Sequence, residues 1–179
     1  CIFATTIPLK YPATMRYETD DLRIRAMKEL ISPEELIHLY PASEAISETV
    51  YAARQGIRRI LHDEDDRLLV VVGPCSVHDP AAARDYARQL HPLLDELAAA
   101  LPTVMRAYFE KPRSPVGWKG LINDPTLDGR FEINDGLKLA RALLMDVNGM
   151  GIPAGTEFLD LISPQYVADL ISWGAIGAR

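Results

Sequence analysis

From residue 68 onward the sequence alternates between short apolar runs and amphipathic stretches that open on a capping signal. Few folds are compatible with that rhythm. Residues 68–72, LLVVV, read as a strand buried on both faces, and Asp79-Pro80 opens a helix running towards Ala100. Residues 103–109 give a second strand, followed by a long polar connection. Asn134-Asp135 then opens a helix whose Leu137, Ala140, Leu144 and Val147 share one face, and Asn148-Gly149 ends it. Residues 152–158 form a third strand, Ser163-Pro164 starts a helix carrying Val167, Leu170 and Ile171, and 175–178 read as a short fourth strand. Strands separated by helices predict a parallel sheet with helical crossovers. Two α/β architectures compete, an open doubly wound sheet and a (β/α)₈ barrel. A dinucleotide-binding sheet would carry G-x-G-x-x-G after its first strand, whereas here a single glycine is followed by proline, Gly73-Pro74.

Ahead of this rhythm lie two helices. Ser32-Pro33-Glu34-Glu35 is a capping box with proline at the first helical position, and it predicts a short helix through Leu39. A second begins near Ser43, with Ile46, Val50, Ala53, Ile57 and Ile60 on one stripe, and the acidic run 62–66 breaks it. The chain opens CIFATTIPLKYPAT, and its first methionine is Met15. Residues 1–14 are read as a disordered, upstream or non-native extension, 15–66 as N-terminal helices, and 67–179 as the parallel-sheet domain.

Charge narrows the partners. Lys and Arg number 19 against 25 Asp and Glu, a net −6, which argues against a general nucleic-acid surface. Two cysteines, Cys1 and Cys75, make no disulfide framework, so a cytoplasmic setting is expected. No apolar run reaches the length of a membrane span.

In an α/β barrel the chemistry gathers where strands end at their C-terminal edge. Cys75 follows the first strand; Arg106, Glu110, Lys111 and Arg113 lie in and beyond the second; Glu157 ends the third; Arg179 follows the fourth. Arg106 interrupts the apolar Val-Met-Arg-Ala-Tyr-Phe, either as the partner of an acid such as Glu157 or as a bidentate clamp on phosphate or carboxylate. Several cations on one rim favour an anionic ligand, most simply a phosphorylated metabolite. Pro112 and Pro115 stiffen the loop that bears Lys111 and Arg113. Cys75 has three readings: a small packed hydrophobe, a nucleophile with His78 as base, or a thiolate metal ligand. Spacing leaves all three open. A Schiff-base aldolase is disfavoured, because Lys111 lies beyond its strand and next to Pro112.

The segments LLVVVGPCSVHDP, MRAYFEKPRSPVGWKGLINDP and AGTEFLDLISPQYVADLISWGAIGAR closely resemble the microbial, feedback-regulated class I 3-deoxy-D-arabino-heptulosonate 7-phosphate (DAHP) synthases, from about Asp20 to Arg179. The resemblance implies the N-terminal half of a (β/α)₈ TIM barrel, about four parallel strands preceded by regulatory and oligomerisation helices. It also implies condensation of phosphoenolpyruvate with erythrose 4-phosphate and water to give DAHP and phosphate, the first step of the shikimate pathway. Carried over by position, Cys75 is a ligand of a divalent metal (Mn, Fe, Co or Zn). Arg106, Lys111 and Arg179 grip phosphoenolpyruvate, with Lys111 also near the sugar aldehyde, and Pro112, Arg113 and Ser114 hold erythrose 4-phosphate. Glu157 is an acidic catalytic residue, and Asp20, Asp21, Pro164 and Gln165 fall in the neighbourhood of an aromatic amino-acid effector. A homo-oligomer, dimer or tetramer, is implied for the full-length protein. The family's remaining metal ligands have no counterpart here, so this polypeptide is expected to be inactive alone. The rival reading is a non-catalytic half-barrel that binds only a partner chain or the effector.

Overall fold

The computed structural model describes residues 27–111 and 117–177. Ser32–Arg179 forms one compact unit, and residues 27–31, which belong to the unit Cys1–Ile31, adopt no regular element. The expectation for residues 1–14 lies outside the described residues.

Local signals place the first two helices. In α1 (Pro33–Leu39) Ser32 is the N-cap, and its side chain accepts from the Glu35 N–H at 3.1 Å. In α2 (Glu44–Leu61) Ser43 plays the same part towards Ile46 at 3.3 Å. Each cap satisfies a backbone donor that the helix cannot pair internally. The stripe of α2 is turned inward at Ile46, Val50 and Ile57. It packs against α4 (Ile133–Gly149) and against a 3₁₀ turn at Ala168–Leu170.

Four parallel strands make one sheet: β1 (Val70–Val72), β2 (Thr103–Arg106), β3 (Ala154–Phe158) and β4 (Trp173–Ile176). Their order is β1-β2-β3-β4, with Val70 opposite Thr103, Arg106 opposite Gly155, and Gly155 opposite Trp173. A doubly wound sheet reverses its strand order at a switch point; this one does not, so its winding is that of a barrel. Crossovers are made by α3 (Pro80–Leu97), by α4, and by the short α5 (Pro164–Val167) with its 3₁₀ turn. Leu137, Ala140, Leu144 and Val147 of α4 are all buried, as their spacing requires.

Some expectations shift. The run 68–72 is not buried on both faces, since Val71 and Val72 are 39% and 36% exposed. Among the described residues β1 pairs with β2 alone, and no described layer covers Val71 and Val72 fully. Helix α4 begins at Ile133, not at Asn134-Asp135, and its N-cap Glu132 makes no side-chain cap. β4 starts at Trp173, two residues before the apolar run suggested, because Trp173 and Gly174 pair with Gly155 and Thr156.

Two arginines tie the N-terminal helices to the sheet unit. Arg141, fully buried on α4, donates to the Tyr40 carbonyl at 2.9 Å, to the Tyr166 carbonyl at 2.9 Å, and to both Asp169 oxygens at 2.7 and 2.8 Å. Arg54 of α2 donates to the carbonyls of Ile171 and Ala168, the latter at 2.6 Å. A planar guanidinium suits such convergent acceptors better than an ammonium would.

Candidate active site

The site is built where β1 and β2 end. After β1 the chain turns through Gly73-Pro74 to Cys75, and glycine is required at that turn. A Cβ on Gly73 would sit 2.6 Å from the Arg106 carbonyl oxygen and 3.0 Å from the Arg106 Cβ. This close approach lays Cys75 against the end of β2. Beyond β2 the chain stays extended to an isolated antiparallel bridge between Glu110 and Gly120, and the Lys111 N–H donates to the Lys119 carbonyl at 3.0 Å. Gly120 again has no room for a side chain, with the Phe109 carbonyl oxygen 2.2 Å from where its Cβ would be. That pinched hairpin fixes where Lys111 starts.

Lys111 Nζ lies 3.4 Å from Cys75 Sγ. Arg106 Nη2 donates to the Cys75 carbonyl at 3.1 Å and lies 3.9 Å from the sulfur. The exposed thiol is therefore pulled below its ordinary pKa, chiefly by its contact with the Lys111 ammonium; desolvation opposes this, and Arg106 adds a smaller pull in the lowering direction. An exposed thiol flanked by cations is placed as a nucleophile or a metal ligand would be, and not as packing filler. No contact joins Cys75 to the exposed His78.

Arg106 packs over Tyr108, with the guanidinium carbon 4.1 Å from the ring centroid. Among the described residues no acid pairs with Arg106, and its Nε is buried without a hydrogen-bond partner. An unsatisfied buried donor on a charged group is costly, and its retention marks Arg106 as a candidate functional residue. Arg106 is in register with Gly155, so Glu157, two residues further along β3, projects from the same sheet face. Glu157 is half-buried and forms no ion pair with Arg106.

Cys75, Arg106 and Lys111 are thus brought together, with Glu157 on the same face. Pro164 and Gln165 lie apart, in the first turn of α5, and Gln165 Nε2 donates to the Leu161 carbonyl at 3.3 Å. Pro112, Arg113, Ser114, Arg179, Asp20 and Asp21 lie outside the described residues. Among the described residues no group of three or more His, Cys, Asp and Glu side chains converges as a metal cage. What is present is one thiol, that of Cys75.

Sequence reasoning gave no role to the carboxylates behind this cluster. Glu110, 7% exposed, accepts from the Ser163 hydroxyl at 3.1 Å and lines one cleft with Leu159 and Asp160. Burial, first, and then Asp160 push the Glu110 carboxyl up to about 7. Asp160 stays below the ordinary range despite its own partial desolvation, because it accepts from the Ser163 and Ile162 N–H groups at 2.7 and 2.6 Å and from Glu110. Ser163-Pro164 does start α5, but Ser163 makes no side-chain cap there; its hydroxyl is committed to Glu110. The Asp160-x-x-Ser163 turn was the one local signal for this arrangement.

A sequentially ordered parallel sheet, with a thiol beside cations and an unsatisfied arginine at its C-terminal end, has the layout of the working rim of an α/β barrel. The chain matches the model of the DAHP synthetase I family over residues 40–179, and it belongs to that family. It is 60% identical over 165 residues to the Phe-sensitive phospho-2-dehydro-3-deoxyheptonate aldolase of Escherichia coli K12, covering 92% of this chain and 47% of that protein. It is 56% identical over 162 residues to the Trp-sensitive protein of Buchnera aphidicola subsp. Acyrthosiphon pisum, covering 90% and 47%. The solved phospho-2-dehydro-3-deoxyheptonate aldolase of Francisella tularensis SCHU S4 superposes with a TM-score of 0.85 at 54% identity, over 87% of this chain and 46% of that one. The chain spans about half the length of the curated relatives it matches.

Proposed function

We propose that this chain is the part of a DAHP synthase that carries one thiolate metal ligand and much of the grip on phosphoenolpyruvate. The observation that carries the reading is Arg106: a guanidinium with a buried, unpartnered Nε, beside Lys111 and with no acid neutralising it among the described residues. Such a pair suits a small dianion bearing both phosphate and carboxylate. In the overall reaction, C3 of phosphoenolpyruvate attacks the aldehyde of erythrose 4-phosphate, water adds at C2, and phosphate leaves.

The residues here have separable tasks. Arg106 orients the enol phosphate and holds the Cys75 carbonyl, so substrate grip and thiolate placement share one side chain. Lys111 offers an ammonium between the anion and the aldehyde end, where it can balance charge developing on the carbonyl oxygen. Glu157, on the same sheet face, is placed to orient water. A divalent ion would supply Lewis-acid polarisation of the aldehyde, and Cys75, with its thiol acidity raised by Lys111, fits as one of its ligands. The names of the Phe-sensitive and Trp-sensitive relatives support an aromatic amino-acid effector, with Pro164 and Gln165 as the described candidates, and a homo-oligomer is in keeping with such control.

The test is an assay of the full-length gene product for phosphoenolpyruvate-dependent loss of erythrose 4-phosphate. Activity that is abolished by a chelator and by Cys75→Ala, and weakened by Arg106→Lys through a raised KM for phosphoenolpyruvate, is the expected result. A folded, metal-loaded product with no such turnover would leave a binding protein in place of a synthase.

A further inference from the structure

Arg106 is held in place by contacts that leave its charge intact. On an extended chain residues two apart share a face, so Met105, Ala107 and Phe109 are buried on one side while Arg106 and Tyr108 stand together on the other, half-buried. There the guanidinium carbon lies 4.1 Å from the centroid of the Tyr108 ring, and Nη2 reaches the Cys75 carbonyl at 3.1 Å. A carboxylate in the place of the ring would occupy the guanidinium fork and neutralise it. A ring face acts differently: it covers one side of the guanidinium plane and attracts the cation, yet the N–H groups lying in that plane stay open to a ligand. The backbone of Tyr108 has a separate task. Its carbonyl accepts from the Val77 N–H at 2.8 Å and stitches the turn that follows β1 to the chain beyond β2. Among the described residues the Tyr108 hydroxyl makes no hydrogen bond, so the ring is what this side chain contributes.

We propose that Tyr108 is a positioning residue for Arg106, its ring face fixing the plane of the guanidinium so that the remaining in-plane donors meet the acid groups of phosphoenolpyruvate already oriented. The inference rests on the reading of Arg106 as a grip on that substrate and names what sets its aim. An unrestrained arginine samples many rotamers, and a ligand that must order it binds more weakly for doing so. A stack formed before the ligand arrives removes part of that cost. Ring and hydroxyl can be separated: Tyr108→Phe keeps the aromatic face, and Tyr108→Leu removes it. The bond to Val77 is made by the backbone, so both variants retain it. An ammonium has no plane to fix, so the ring should matter less once Arg106 is replaced by lysine.

The experiment is a calorimetric titration of the metal-loaded full-length protein with phosphoenolpyruvate alone. Wild type is compared with Tyr108→Phe, Tyr108→Leu, Arg106→Lys, and Arg106→Lys combined with Tyr108→Leu. Tyr108→Leu is expected to raise the Kd by about threefold to thirtyfold, the range of a stacked cation, whereas Tyr108→Phe should stay near wild type. In steady state the KM for phosphoenolpyruvate should rise with the Kd while that for erythrose 4-phosphate does not, a split that general loosening of the fold would not give. Added to Arg106→Lys, the same truncation should cost less. A folded Tyr108→Leu protein that binds as wild type does overturns the proposal. So does a Tyr108→Phe protein as weak as Tyr108→Leu, or a loss of full size in the Arg106→Lys background. Tyr108→Met serves if Tyr108→Leu does not fold. A folded, metal-loaded wild type that binds no phosphoenolpyruvate refutes the reading of Arg106 itself, and the role of Tyr108 falls with it.

Discussion

Lys111 Nζ and Cys75 Sγ are 3.4 Å apart, although 36 residues separate them in the chain. Each is at the C-terminal end of its own strand, and the parallel register of β1 and β2 delivers both to the same rim. The contact couples the ammonium to the thiol, so either can be probed through the other.

Lys111→Met should raise the pH midpoint of Cys75 alkylation, because the largest influence favouring the thiolate is then gone. Arg106→Ala should raise it less, since Arg106 stands 3.9 Å from the sulfur and ranks below Lys111 among the causes. A pH series of alkylation rates on the metal-free protein ranks the two. Equal midpoints in wild type and Lys111→Met would show that the contact does not persist in solution.

Gly73→Ala should loosen the same site through the backbone. The new methyl would meet the Arg106 carbonyl oxygen at 2.6 Å, and neither strand end can yield as a flexible side chain would. A cost of about 1–3 kcal/mol is expected, read as a lower denaturant midpoint. Cys75 should also move from Lys111, so its alkylation midpoint should rise in the same variant. Stability lost with thiol reactivity unchanged would separate the turn from the site.

How much of this was legible depends on the range of each interaction. Ser32, Ser43 and the stripes of α2 and α4 were readable because caps and helical periodicity are decided within a few residues. The cluster of Cys75, Arg106 and Lys111 was readable because parallel strands send their C-terminal ends to one rim. The exposure of Val71 and Val72 was not, since the burial of an apolar strand is set by what lies beside it. Glu110 and Asp160 were missed for a different reason. Charge reasoning keeps two acids apart, and only the folded geometry brings Glu110 and Asp160 to one cleft. Arg141 was hidden likewise, a cation on the buried side of an apolar helix whose four acceptors come from distant turns.

Arg141→Ala should therefore be the most damaging change away from the site. It strands the Tyr40 and Tyr166 carbonyls and leaves Asp169 without its fork, although Asp169 is 40% exposed and can regain water. A loss of about 3 kcal/mol is expected, at the low end for a broken buried pair because one partner resolvates. Arg141→Lys should recover little of it, since one ammonium cannot face four acceptors. Chemical unfolding of the two variants beside wild type measures both, and a full recovery by lysine would mean that charge alone, without the fork, holds these helices.

The Glu110 carboxyl gives stability a pH dependence of defined sign. Its ordinary value of 4.5 is raised to about 7 by burial and by Asp160, so the folded protein binds a proton that the unfolded chain has released in that interval. Its contribution is fully present below pH 4.5 and is lost as pH rises through about 7, by at most about 3 kcal/mol. Asp160 acts in the opposite sense at lower pH: its lowered pKa gives stability present above its ordinary value of 3.8 and lost on further acidification. The unfolding midpoint should thus decline between roughly pH 5 and 8 in wild type. In Glu110→Gln it should stay flatter over that range, because the amide does not titrate. Parallel pH profiles for the two proteins would assign the dependence to other groups.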